Sequence, residues 1–328
     1  MDIFRTPVDA GVAKHQASYH APSVFIGSCF SENIGNRLSE LRMPVCVNPF
    51  GILYNPVSIF HSLEFLAKGK KYKKSDLGFH NGRWFSFDHH GRFSASEQTD
   101  CLIKINESVE AGREALKLAS HLFITLGTAW VYQLKTSGKI VANCHKIPDS
   151  SFTRRILKVD EVSQPFGILF KNLKKLNPDL QVVFSLSPVR HTRDGARGNA
   201  LSKAILLVAI HQIIAGNPDS SYFPAWEIMM DDLRDYRFYE PDMLHPNSQA
   251  IGYISDRFAD CWLTSETREI MKGMEKIVLA RKHCPVNPET EEFRKFIFSV
   301  LTETYKLKEK YPFIELGEDI NGFRKLLE

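Results

Sequence analysis

VFIGSCFSENIG, residues 24–35, decides how this chain is read. A short apolar run, Val24-Phe25-Ile26, meets Gly27-Ser28-Cys29, and Phe30-Ser31 then opens a helical pattern with Glu32 in its first turn. An apolar strand that turns sharply into a helix predicts an α/β corner. Two reactive side chains, Ser28 and Cys29, stand in that corner, and either is a candidate nucleophile.

Outward from this corner, further apolar, β-rich runs recur: PVCVNPFG (44–51), HLFITLGTAWVY (121–132), LQVVFSLSPV (180–189) and the weaker SYFPAWEIM (221–229). The near-continuous hydrophobicity of LQVVFSLS is what a strand covered on both faces needs. Helical patterns separate the runs, at 31–41, at 55–67 with Asn55-Pro56 at its start, and at 199–215, NALSKAILLVAIHQIIA. Strands alternating with helices predict a mainly parallel sheet with helices on both faces, and ligands at the carboxyl ends of its strands. Two regions break the alternation. Residues 68–95 carry the basic run KGKKYKK and then Asn81-Gly82 and His90-Gly91 around Trp84-Phe85-Ser86-Phe87, predicting a β-hairpin insertion. Residues 265–328 are charged and helical in pattern, broken by Cys-Pro-Val-Asn-Pro at 284–288, and read as a helical appendage packed on the core or used for assembly.

Composition narrows the class. The chain has 328 residues, 43% hydrophobic and 24% charged, with a formal net charge of +4. That balance is ordinary for a globular protein and too weakly basic to imply nucleic acid; KGKKYKK reads as a solvated charge run. No stretch approaches the roughly 18 apolar residues of a membrane span, and the N-terminus lacks the apolar run of a signal peptide, so neither membrane nor export is expected. Six cysteines without a CxxC pair read as reduced thiols, consistent with cytoplasm. No metal is expected: His80, Asp88, His89 and His90 cluster in the hairpin, but adjacent His89 and His90 would point to opposite faces of a strand. No phosphate- or dinucleotide-binding glycine motif appears, so no cofactor is expected. Oligomeric state is left open.

A second chemical stretch is EPDMLHPNSQAIGYISDRF, 240–258. Asp242 and His245 lie three apart before a helix start, and a carboxylate at that spacing can hold an imidazole in one tautomer as a general base. A turn capped by Asp242, with His245 merely on the surface, explains the same spacing.

GSCF at 27–30, GTAWVY at 127–132, NCHK at 143–146 and DMLHPN at 242–247 together resemble the GSCFA family, and their order resembles the SGNH (GDSL-like) hydrolase superfamily; position 31 is Ser where the family's motif name ends in alanine. The resemblance spans about residues 20–262. It implies a three-layer α/β/α sandwich, and ester hydrolysis or acyl transfer through a covalent acyl-enzyme. The domains are then 1–264, with the hairpin insertion, and the 265–328 appendage. Matched to the superfamily's Gly-Asp-Ser block, Cys29 falls on the nucleophile and Ser28 on the acid, with Ser28 the alternative nucleophile. His245 and Asp242 fall on the base and its orienter, and Gly51 with the Cys29 amide on the oxyanion hole. The third block, Gly-x-Asn-Asp in the superfamily, reads Gly127-Thr128-Ala129-Trp130 here, so its asparagine donor is missing. Asn143 or His145 is the expected substitute, on the return of a hairpin turning at Thr136-Ser137-Gly138. Arg190, which can grip a carboxylate or phosphate, and Trp130 are candidate substrate contacts, as are Tyr222, Trp226 and Glu227 at the fifth strand. The expected substrate is a small-molecule or glycan acyl ester. Transfer of the acyl group to a sugar hydroxyl and a non-catalytic binding role are the alternatives.

Overall fold

The computed structural model describes residues 5–283 and 290–327. In chain order, β1 (Ser23–Gly27) leads into α1 (Cys29–Glu40), β2 (Val45–Val47) and α2 (Pro56–Lys68). A hairpin, β3 (Gly78–His80) and β4 (Arg83–Phe85), precedes α3 (Gln98–Leu118) and β5 (His121–Leu126). Next come β6 (Trp130–Leu134), β7 (Ile140–Val141), β8 (Phe152–Ile156), α4 (Val159–Leu176), β9 (Gln181–Leu186), α5 (Gly195–Gly216) and β10 (Ser220–Phe223). The short α6 (Ala225–Glu227), α7 (Ser248–Trp262), α8 (Ser265–Lys282), α9 (Glu291–Lys310) and α10 (Gly317–Lys325) complete the chain.

Five strands pair in parallel in the order β10-β9-β5-β1-β2. Alternation along the strands builds two cores. Val24 and Ile26, Leu122, Ile124 and Leu126, and Val182, Phe184 and Leu186 pack against α2, α3, α4 and α5. Phe25, Phe123, Val183 and Phe223 face the other way, onto α1 and α7. Both faces are therefore covered, which is why these strands read as unbroken apolar runs. The result is a three-layer α/β/α sandwich with a mainly parallel sheet, as the sequence predicts.

The apolar run 121–132 is two strands, broken at the Gly127 corner. β6 leaves the main sheet and pairs between β7 and β8 in a small antiparallel sheet. Asn81 and Gly82 both have positive φ, 49° and 73°, the conformation a tight two-residue hairpin turn needs. The helices α8–α10 are not held apart from the rest: Ile270, Met274, Ile297, Leu301 and Phe323 belong to the same core as Ile34 and Leu38 of α1. Arg42 and Arg281 both reach the buried Asp319 of α10. The break at 284–288 lies outside the described residues. One expectation needs amending: residues 192–216 are long and apolar enough to cross a membrane by length and composition. In this fold Leu206, Ala209, Ile210 and Ile213 of that helix lie in the core against the sheet.

Candidate active site at the carboxyl edge of the sheet

Gly27, Thr125 and Ser185 pair across β1, β5 and β9. Cys29, Gly127 and Ser187, each two residues on, therefore leave the sheet side by side. Gly27 has φ 137°, and a Cβ there would fall 2.1 Å from the Thr125 carbonyl oxygen, so only glycine fits this corner. Its N–H donates to Oδ1 of the buried Asn48 at 2.9 Å. Cys29 is the first residue of α1, where unpaired N–H groups and the helix dipole favour negative charge.

Ser28 and Cys29 differ in access. Ser28 is 1% exposed and its hydroxyl is buried without a hydrogen-bond partner among the described residues, whereas Cys29 is partly exposed. Burial pushes the Cys29 thiol up; the amides of Phe30 and Cys29 oppose that rise, Glu32 adds to it, and Lys203 opposes it. Cys29, Cys46, Cys101, Cys144 and Cys261 are all free thiols.

Asp242 and His245 meet. Oδ2 of Asp242 lies 2.6 Å from His245 Nδ1, while its Oδ1 accepts the N–H groups of Leu244 and His245 at 2.8 and 3.0 Å. The carboxylate thus caps the turn and orients the ring at once. The N–H groups of the turn and the imidazole bring its pKa down to about 2. The loop is tied to the end of β9 by Arg190 N–H on the Leu244 carbonyl, 3.2 Å, and Asn247 caps α7 by accepting the Ala250 N–H.

A cleft of about 530 Å³ opens between these loops, lined by His245, His191, Tyr54, Trp130, Asn143 and Arg190 among others. Of the lining residues, Tyr54 is the one that feels the thiol: its phenol is raised by burial and then by the Cys29 and Glu32 charges. Tyr54 stands edge-on to His191, ring centroids 5.6 Å apart. Burial, then the Lys203 and His245 charges, brings His191 down to about 4, so it is neutral at pH 7. Among the described residues no hydrogen bond joins Cys29 to His245. Trp130 carries the Arg154 guanidinium 4.6 Å above its ring, and Arg154 is in turn paired with Asp194. Arg190 makes no ion pair among the described residues; it touches Met230 Sδ at 3.2 Å and lies 6.0 Å from the rings of Trp226 and Tyr239. Tyr222 donates to Glu227 at 2.9 Å, so these two satisfy each other rather than facing a ligand.

Two expected oxyanion-hole or donor positions have partners within the fold. Gly51 N–H closes a turn onto the Asn48 carbonyl at 2.7 Å, and at φ 76° a Cβ would fall 2.3 Å from His90 Cβ. Its glycine is demanded by the turn, and its amide is already engaged. His145 is held by the hairpin: Nε2 lies 2.8 Å from the Ser86 carbonyl and its ring stacks on Phe85 at 4.3 Å. Asn143 does line the cleft, with Oδ1 accepting the His145 N–H at 2.8 Å. Among the described residues no group of three or more His, Cys, Asp or Glu side chains is gathered as metal ligands.

Sequence reasoning missed Ser202 and Lys203 of α5. Ser202 Oγ accepts the Ala129 N–H at 2.7 Å and lies 3.1 Å from Thr128 Oγ1. Lys203 Nζ donates to the carbonyls of Gly127 at 2.9 Å and Ser187 at 2.7 Å, and sits 5.0 Å from the Trp226 ring centroid. The signal was a lone Ser-Lys pair within the apolar stretch NALSKAILLVAI.

Fold and site together define an α/β protein with a thiol-bearing helix start and an oriented imidazole on one edge of its sheet. The chain belongs to the GSCFA family, which matches residues 22–258; residues 274–328 match the GSCFA domain protein, C-terminal domain. No curated protein matches. Among solved structures, a carbohydrate esterase family 3 from Talaromyces cellulolyticus is similar at 8% identity and TM-score 0.35, over 78% of this chain and 99% of that one. An acetyl xylan esterase from the rumen bacterium Butyrivibrio proteoclasticus is similar at 11% identity and TM-score 0.38, over 74% of this chain and 64% of that one. Both likenesses are remote, and the fold class stands on the sheet and its two helical layers.

Proposed function

We propose that this protein is an SGNH-type acyl hydrolase that cleaves small-molecule or glycan esters through a thioester on Cys29. The observation that carries the reading is the Asp242–His245 pair, joined at 2.6 Å, on the same sheet edge as the partly exposed thiol at the start of α1. The Cys29 thiolate adds to the ester carbonyl, and the developing oxyanion is met by backbone amides at the start of α1. The C–O bond breaks, and the alcohol leaves with the proton His245 took from the thiol. His245 then deprotonates a water, which attacks the thioester; the acid departs and the proton returns to Cys29. Asp242 fixes the imidazole with Nδ1 towards the carboxylate and Nε2 towards the reacting groups. Arg190, at the cleft and without an ion pair among the described residues, suits an acidic group on the substrate. An acceptor hydroxyl in place of water makes the same acyl-enzyme a transferase.

A non-catalytic binding role is the second reading, favoured by one observation: Cys29 and His245 are not hydrogen-bonded to each other. In enzymes without substrate such bonds are often long and tighten in the complex. The test is incubation with a panel of p-nitrophenyl esters and thioesters, reading the acyl adduct by intact mass. The hydrolase reading expects an adduct that is lost in Cys29→Ala and kept in Ser28→Ala. No adduct and no turnover in any form sinks it in favour of binding.

A further inference from the structure

Lys203 is a buried cation, 3% exposed, with no carboxylate partner among the described residues. Burying an ammonium in such a place is costly, and two carbonyl oxygens with one indole face compensate only part of the loss. Those carbonyls are informative. Gly27, Thr125 and Ser185 are register partners, so Gly127 leaves the sheet on the strand beside that of Cys29 and Ser187 on the strand beyond it. The ammonium is thereby fixed at the strand ends, on the row that carries the thiol. We propose that Lys203 is the buried countercharge of Cys29, a positioning residue that makes the thiol ionisable at the sheet edge. This rests on the reading of Cys29 as nucleophile.

Each of the two charges favours the other, against the burial that disfavours both. Burial brings the Lys203 ammonium down to about 7, Cys29 holds it up, and Arg190 pushes it further down. On the thiol side Lys203 offsets part of the burial that pushes Cys29 up. The other charged or titratable groups facing the pair are Glu32 on α1, Tyr54 before α2, and Arg190 and His191 after β9. Glu32 is held by Arg92 at 2.9 Å, and His191 is neutral above its depressed pKa of about 4, so neither replaces the ammonium.

The test is the pH profile of iodoacetamide alkylation at Cys29 in the full chain, read by peptide mass spectrometry from pH 6 to 10. Lys203→Met should move the midpoint upward and slow alkylation at least threefold on the rising limb. Lys203→Arg, which keeps the charge, should recover most of the rate. A Lys203→Met profile that superimposes on wild type overturns the proposal, as does a Lys203→Arg profile as slow as Lys203→Met. Should Lys203→Met not fold, wild-type protein labelled with [ε-13C]lysine decides: the Lys203 signal must step at the Cys29 midpoint and lose that step in Cys29→Ala. No step in wild type overturns the proposal. Alkylation needs no ester turnover, so normal alkylation without any acyl adduct sinks the hydrolase reading alone.

Discussion

Oδ2 of Asp242 stands 2.6 Å from Nδ1 of His245, and Oδ1 of the same carboxylate holds the backbone of the turn between them. One side chain thus sets both the path of the loop and the direction of the ring. Asp242→Asn keeps a turn-capping oxygen but turns a donor or a weaker acceptor towards Nδ1. Acyl-adduct formation should fall by about 10²-fold or more, since a misoriented or wrong-tautomer imidazole is a poor base. The loop should remain folded, read from an unchanged thermal midpoint. Because the Asp242 pKa is depressed to about 2, the pair's contribution is complete above the ordinary carboxylate value near 3.8 and is lost only as pH falls towards 2. An Asp242→Asn rate within threefold of wild type would remove the residue from the mechanism.

Arg190 lines both the cleft and the neighbouring space that Tyr239 borders, and has no acidic partner among the described residues. Arg190→Gln should raise KM for esters carrying a carboxylate by about tenfold, the effect of losing a charge-assisted hydrogen bond. Neutral esters should change less than threefold in KM, with kcat retained for both. Equal losses on charged and neutral esters would assign Arg190 to the loop's architecture instead.

Much of this arrangement was legible because its causes are local. Asn55-Pro56 starts a helix because the Asn55 oxygen accepts the Ser58 N–H and proline needs no N–H there. Asn81-Gly82 turns a hairpin for its φ values, and Asp242 finds His245 because three residues of chain bring them together. The runs around Phe25, Phe123 and Val183 give the sheet because both faces must be covered. What stayed hidden depends on distant pairing. His145 looked free to replace the missing asparagine until β4 and Ser86, nearly sixty residues earlier, took its ring. Gly51 looked like a donor until the turn from Asn48 claimed its N–H. Lys203 was concealed by its helix, whose apolar run suggests only a core face; its ammonium matters because β5 and β9 end where it arrives.

His89 gives a pH dependence with a definite sign. It is fully buried, stacked on Phe50 at 4.6 Å, and burial brings its pKa down to about 3 against a partial opposing pull from Asp88. The folded state keeps the ring neutral while the unfolded chain takes up a proton near pH 6.5. Its contribution is complete above 6.5 and is lost as pH falls from there to about 3. Within that window a single such group steepens the stability profile by up to about 1.4 kcal/mol per pH unit. His89→Phe should flatten the urea-midpoint profile between pH 6 and 4, whatever it does to stability at pH 7. A slope equal to wild type would mean that His89 is protonated in the fold.

Asp319 tests how firmly the last helices belong to the core. It is 4% exposed and accepts from Arg42 after α1 at 3.0 Å and from Arg281 of α8 at 3.1 Å. Both arginines are partly solvated, so neutralising the acid leaves two cations that water can still reach, and the loss is smaller than for a fully buried pair. Asp319→Asn should cost about 2 kcal/mol, below the full penalty of breaking a buried ion pair. Since Phe323 and Ile320 share a core with Leu38 and Met43, that loss should appear in the one global transition. Circular dichroism and proteolysis should then report the same lowered midpoint. A separate early transition releasing only the segment after 265, with the rest of the chain unchanged, would make these helices an independently melting unit rather than part of the sheet's second layer.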